Sequence, residues 1–210
     1  MALESRLKQV FSLTDAAGAR EAYDDWAEDY DRDMLDASEE YVAPEIACKY
    51  LVRHLNEDRI AKAKILDAGC GTGLVGVQLS KAGAKEIDGI DLSEGMLRVA
   101  SRLGIYGALE VADMSQHLSL ASNLYDAVIC VGTMTQGHVG PEAFGELVRV
   151  VKQGGYIVST IRATIWETKG YKKAIGALCD EQKTRLLSAE PEEVSRGKGP
   201  QIILAVLQVI

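Results

Sequence analysis

Apolar residues recur along this chain in two rhythms, and the change from one to the other falls near residue 60. Before that point the spacing is helical. Tyr23, Trp26, Ala27 and Tyr30 return to one helical face, with acidic residues between them. Pro44 suits a first helical turn and opens another helix, with Ile46, Ala47, Tyr50, Leu51 and Leu55 on its inner face. Residues 56–64 are polar and read as a connection.

After residue 60, short apolar runs alternate with helical segments. Strands are expected over residues 64–68, 86–90, 108–112, 125–131 and 156–161. The run 125–131 is apolar almost throughout, as in a strand buried on both faces of a parallel sheet. Helices are expected over 74–81 and after Ser93, whose hydroxyl can cap a helix carrying Met96, Leu97, Ala100 and Leu103. Another starts at Pro141 and buries Phe144, Leu147, Val148 and Val151, before Gly154 and Gly155 turn the chain. Such alternation implies right-handed βαβ units and a parallel sheet with helices on both faces. The end of the chain departs from it. A helix over 169–183 precedes two apolar segments, 185–188 and 202–209, which read as an antiparallel pair joined by a loop containing 195–200.

Composition narrows the setting. The 210 residues suit one domain, and a formal charge of −8 disfavours a general affinity for nucleic acid. Cys48, Cys70, Cys130 and Cys179 form no CxxC pair, which argues for reduced thiols and against a zinc site or disulfide framework. No apolar run reaches membrane-spanning length and the N-terminus has no apolar signal region. The expected compartment is the cytoplasm, with no membrane partner.

The chemistry concentrates at Asp67-Ala68-Gly69-Cys70-Gly71-Thr72-Gly73, the end of the first strand and the glycine turn it runs into. Glycines there permit a tight turn and close approach of backbone to a ligand, and the next helix presents free N–H groups. Asp91 ends the second strand, twenty positions after Gly71, where a carboxylate can accept from two ribose hydroxyls. Gly71, Gly73 and Gly76 also satisfy the GxGxxG pattern of dinucleotide sites. Asp67 separates the two ligands: it would repel a pyrophosphate but favour an ammonium or sulfonium.

The stretch ILDAGCGTG resembles motif I of class I S-adenosylmethionine-dependent methyltransferases, and IDGIDLSEGML resembles the segment that follows it. The likeness spans about residues 20 to 162. It implies a Rossmann-like three-layer α/β sandwich: a mostly parallel seven-stranded sheet with a C-terminal antiparallel strand pair and an N-terminal helical lid. The domain would run over 1–210, with the lid at 1–60 and the core at 61–210. It further implies that Asp67, Gly69, Cys70, Gly71 and Gly73 surround the aminoacyl end of the cofactor. Asp91 and Leu92 would meet the ribose, Met96 one face of adenine, Asp113 and Met114 the adenine edge, and Val131 the cofactor wall. Tyr23-Asp24-Asp25-Trp26-Ala27-Glu28-Asp29-Tyr30-Asp31 resembles a helix that lies over the cofactor in several small-molecule methyltransferases. Tyr23, Trp26 and Tyr30 would then face the sulfonium.

Methyl transfer relies on alignment, and a base is needed only where the acceptor must lose a proton. His138 is the candidate base, in the loop after the fourth strand, with a surface histidine as the plain alternative. Arg162 and Trp166 follow the fifth strand on the same edge. Arg162 suits an acceptor carboxylate or, equally, a salt bridge to the acidic lid. No (Asn/Asp)-Pro-Pro-(Tyr/Phe) segment and no catechol-type acidic cluster is present, so a small-molecule acceptor without a metal is expected, a protein side chain being the other acceptor class. The product would be S-adenosylhomocysteine, and the enzyme a monomer or homodimer. Two further readings stay open: a non-catalytic binder of the same cofactor or a partner subunit, and an NAD-dependent oxidoreductase.

Overall fold

The computed structural model describes residues 3–13, 15–36, 41–136, 138–199 and 201–210. Four helices come first: α1 (Leu3–Phe11), α2 (Ala16–Asp36), α3 (Ala43–Leu55) and the single turn α4 (Glu57–Ile60). Alternation follows through β1 (Lys64–Ala68), α5 (Leu74–Lys81), β2 (Glu86–Asp91), α6 (Glu94–Ser101), β3 (Ala108–Val111), β4 (Tyr125–Met134), α7 (Ala143–Val150) and β5 (Val151–Arg162). A 3-10 turn at Ala163–Ile165 leads to α8 (Tyr171–Asp180), β6 (Thr184–Glu192) and β7 (Ile202–Val209).

Among the described residues the strands form a seven-stranded sheet in the order β3-β2-β1-β4-β5-β7-β6. The first five pair in parallel, while β7 runs antiparallel to both β5 and β6. Alternation along β1 sorts its side chains between two cores. Ile65 joins Leu51 and Leu55 of α3 and Leu79 of α5, and Leu66 and Ala68 join Phe144 and Leu147 of α7 and Tyr171 of α8. The sheet is therefore the middle of three layers, as the sequence leads one to expect.

Local signals set several boundaries. The Ser93 hydroxyl accepts from the Met96 amide at 3.0 Å and caps α6. Pro44 occupies the first turn of α3. Other boundaries moved. Val151 begins β5 rather than extending α7, and Gly154 and Gly155 lie inside that strand at a register shift between Tyr125 and Ala127 of β4. A Cβ on Gly155 would sit 2.6 Å from the Asp126 carbonyl, so the close approach of the two strands requires glycine there. β4 continues past Val131 to Met134 through a second irregularity, and β6 runs to Glu192 because β7 offers it a partner along its length.

The helical N-terminal stretch also divides. α3 packs in the layer beneath the sheet, whereas α1 and α2 stand over the carboxyl ends of the strands. No helix among the described residues is long and apolar enough to cross a membrane.

Candidate active site

Strand order reverses between β1 and β4, so the chain leaves their carboxyl ends in opposite directions and opens a crevice. A cavity of about 300 Å³ occupies it. Its floor is the glycine turn after β1. Gly69 and Gly71 have φ of 73° and 54°, in the left-handed region that favours glycine. A Cβ on Gly69 would strike Thr133 Oγ1 at 2.2 Å, while the same position on Gly71 meets nothing within 4 Å and faces open space.

Asp91 ties this turn to α6. Its Oδ2 accepts from the Gly71 amide at 2.8 Å and its Oδ1 from the Ser93 amide at 2.9 Å. Burial raises the Asp91 pKa, and the N–H groups of Ser93, Gly71 and Leu92 work against that rise. The carboxylate stands in the cavity wall with Leu92 and Met96 beside it. On the adjoining side Asp113 Oδ1 accepts from the Ser115 amide and hydroxyl at 2.8 and 2.6 Å, which holds Asp113 and Met114 at the wall.

The roof is α2. Asp24 Oδ1 accepts from the Ser93 hydroxyl at 2.6 Å and from the Gly95 amide at 2.7 Å. Arg102 forks onto Glu28 at 2.7 and 2.6 Å, and the Thr72 hydroxyl donates to Asp31 at 2.5 Å. These polar contacts seat the helix on the two segments that flank the cavity, the glycine turn and the start of α6. Tyr23 and Tyr30 reach the wall.

His138 lies under the lid. Its Nδ1 is 2.8 Å from the Gln136 carbonyl and 2.9 Å from the Thr135 hydroxyl, and its Nε2 is 3.0 Å from the Tyr23 hydroxyl. A carbonyl only accepts, so Nδ1 carries the proton and Nε2 accepts from Tyr23. Burial lowers the His138 pKa, opposed by the Gln136 carbonyl, and the ring is neutral at pH 7. Tyr23 has its pKa raised, by burial first and then by Asp91, and keeps its proton.

The structure thus gathers Tyr23, Tyr30, Gly69, Gly71, Asp91, Leu92, Met96, Asp113, Met114, Val131 and His138 around one cavity. Asp67, Cys70, Gly73 and Trp26 are not in its wall. Asp67 points, with Ile65, toward the α3 and α5 side of β1, where its Oδ2 accepts from Tyr106 at 2.7 Å and its Oδ1 has no partner. Cys70 is buried, with its sulfur turned under Gly89 of β2. Gly73 and Gly76 make room for Leu103 and Tyr106, to which a Cβ would come within 2.5 and 2.2 Å. Trp26 lies behind the roof, stacked on Tyr23 at 6.2 Å, with its indole N–H donating to Asp33 at 3.0 Å.

Sequence reasoning missed Ala19 and Arg20 on α2, which stand in the wall with Gly132 and Thr133 of the segment that leads to His138. Extending the helical period of Tyr23 back by one turn would have found the first pair. Among the described residues no group of three or more His, Cys, Asp or Glu side chains is placed to hold a metal ion.

Residues 65–155 match the model of a methyltransferase domain family. Over 179 residues the chain is 35% identical to methyltransferase-like protein 27 of Homo sapiens, covering 85% of this chain and 71% of that protein. It is 30% identical over 170 residues to an uncharacterized methyltransferase of Emericella nidulans, covering 67% of this chain and 59% of that one. The fold matches magnesium protoporphyrin IX methyltransferase of Synechocystis PCC 6803, solved with bound S-adenosylmethionine. The TM-score is 0.72, with 16% identity over 94% of this chain and 98% of the other.

Proposed function

Because the chain belongs to the S-adenosylmethionine-dependent methyltransferase family, we propose that it transfers a methyl group from that cofactor to a small-molecule acceptor bound beneath α1 and α2. The observation that carries this reading is the composition of the cavity wall. It offers an open face at Gly71, a carboxylate at Asp91 held by backbone donors, and a second carboxylate at Asp113. Those groups fit the cofactor. Asp91 would accept from the ribose hydroxyls, Asp113 would accept from the adenine amino group, and Gly69 and Gly71 would leave room for the homocysteine portion.

When bound, the cofactor supplies an electrophilic methyl group on a positively charged sulfur. The protein aligns the acceptor with it and excludes water by closing α2 over the site. Tyr23 and His138 form a path for a proton leaving an acceptor hydroxyl or amine: the proton passes to the Tyr23 oxygen as the Tyr23 proton passes to His138 Nε2. Asp67, turned away from the cavity onto Tyr106, does not bear on this reading. The glycines that completed a dinucleotide fingerprint are occupied by packing against Leu103 and Tyr106.

Calorimetric titrations with S-adenosylmethionine, S-adenosylhomocysteine and NADH test the proposal. The two sulfur ligands are expected to bind and NADH is not; NADH binding alone would overturn it. Tight cofactor binding with no methylated product across a broad acceptor panel would convert the enzyme into a cofactor-binding protein. For an acceptor that loses a proton, His138→Gln is expected to lower kcat by about a hundredfold at pH 7 while cofactor affinity changes by less than about twofold. Wild-type rate should rise with pH through an ionisation below the ordinary histidine value, since burial lowers the His138 pKa and only the neutral ring accepts. The variant should lack that limb; a limb retained unchanged would remove His138 from the proton path.

A further inference from the structure

A second cavity of about 190 Å³ adjoins the first, and Tyr23, Tyr30 and Gly132 stand in the walls of both. It lies between α1 and α2 on one side and the end of β5 and start of β7 on the other. Aromatic rings of Phe11, Tyr23, Trp26 and Tyr41 form much of its wall. Among the described lining residues Arg162 is the one charged side chain, and none is a carboxylate.

Arg162 is the last residue of β5, and its guanidinium lies over the Phe11 ring at 4.8 Å from the centroid. No carboxylate of the described residues forms a salt bridge with it. Five acids of α2, obvious counter-charges, are engaged elsewhere. Glu28 holds Arg102, Asp29 and Asp33 hold Arg6 and Arg32, Asp24 holds the start of α6, and Asp31 takes the Thr72 hydroxyl. An arginine stacked on an aromatic face, with its fork of N–H groups turned to no anion, is suited to a planar oxyanion. In a chain of formal charge −8, a cavity whose described lining residues include one cation and no acid is a local exception.

We infer that the methyl acceptor is a small carboxylic acid with a flat apolar body, and that Arg162 binds its carboxylate in this second cavity. The inference rests on the methyltransferase reading. A single positive charge among aromatic and uncharged polar neighbours, Thr135, Thr160, Ser195 and Gln201 among them, balances a monoanion better than a doubly charged phosphate. The carboxylate is the handle rather than the group beside the proton path: Arg162 stands in the wall of the second cavity, whereas His138 stands in the wall of the first. The body of the acceptor then runs along the aromatic wall, and its reacting end comes to the partition at Tyr23 and Gly132.

Titration of the protein saturated with S-adenosylhomocysteine tests this, using 3-phenylpropanoate, 3-phenylpropanamide and 3-phenylpropyl phosphate as probes. The acid is expected to bind at least about tenfold more tightly than the amide, and more tightly than the phosphate. Arg162→Met should abolish the preference for acid over amide, and Arg162→Lys should keep part of it. Both variants should bind S-adenosylhomocysteine within about twofold of wild type, which also reports that they fold. Equal binding of acid and amide, a preference that survives Arg162→Met, tighter binding of the phosphate, or no binding of the acid up to about 10 mM would each overturn the inference while the cofactor reading stands. Failure of S-adenosylhomocysteine to bind wild type would instead overturn the methyltransferase reading and this inference with it.

Discussion

Asp91→Ala is expected to weaken binding of S-adenosylmethionine and S-adenosylhomocysteine by two to four orders of magnitude. Each ribose hydroxyl donating to a carboxylate is worth roughly 1.5–3 kcal/mol, so losing two removes about 3–6 kcal/mol. Asp91 is committed to this position by the Gly71 and Ser93 amides, at 2.8 and 2.9 Å, which point its carboxylate at the cavity. The alanine variant also frees those two amides, so the glycine turn loses its tie to α6. Asp91→Asn retains one oxygen acceptor without the charge and should fall between the two. Calorimetric titration of all three proteins, with thermal unfolding as the check on folding, measures the effect. Unchanged affinity in the alanine variant would mean that the ribose is held elsewhere and that the site has been misplaced.

Asp67→Asn is expected to make stability less dependent on pH and to raise it at neutral pH and above. Asp67 is fully buried, and burial pushes its pKa up to about 7; the Tyr106 hydroxyl opposes the rise and Asp91 adds to it. In the unfolded chain the group returns to the ordinary carboxylate value of about 3.9. Between roughly pH 4 and pH 7 the folded protein therefore holds a proton that the unfolded chain has released. Stability from this residue is complete below pH 4 and declines as pH rises through 7, because the carboxylate must then sit charged in a poor solvent, where the Tyr106 hydroxyl and the Gly76 N–H offset only part of the lost hydration. A rise of about three pKa units corresponds to about 4 kcal/mol. The stability difference between variant and wild type should shift by that order between pH 4 and pH 8, in favour of asparagine at the higher pH. Urea unfolding of the ligand-free proteins across this range is the measurement. Parallel stability curves for the two proteins would show that Asp67 ionises normally and is better solvated than its burial implies.

Asp67 also marks where reading from sequence reached its limit. Its position at the end of β1 and beside three glycines singled it out as a ligand contact, yet the strand's alternation turns it toward α5, onto Tyr106. Tyr106 is thirty-nine residues away, and nothing near Asp67 in the chain announces it. Gly73 and Gly76 show the same limit from the other side. Their spacing completes a phosphate-binding pattern, but the space above them is filled by Leu103 and Tyr106. Asp91 was legible because strand, acid and Ser93 cap are adjacent in sequence. His138 was legible as a candidate, and the Gln136 carbonyl two residues away sets its tautomer, but the partner of its Nε2, Tyr23, lies more than a hundred residues earlier.

By itself the sequence determined the order of strands and helices along the chain, the glycine turn, the acid at the end of β2, the cap of α6 and the antiparallel strands at the end. Each rests on spacing or on contacts a few residues long, which side-chain periodicity and backbone sterics dictate locally. Only the tertiary structure decided that Val151 starts a strand, that α3 belongs to the sheet layers while α1 and α2 form the roof, and that the acids of α2 leave Arg162 without a carboxylate partner among the described residues. Those outcomes depend on which distant segment arrives at a given face. A hydrogen-bond register, a cavity wall or an ion pair is a relation between remote residues, and local pattern does not specify its second member.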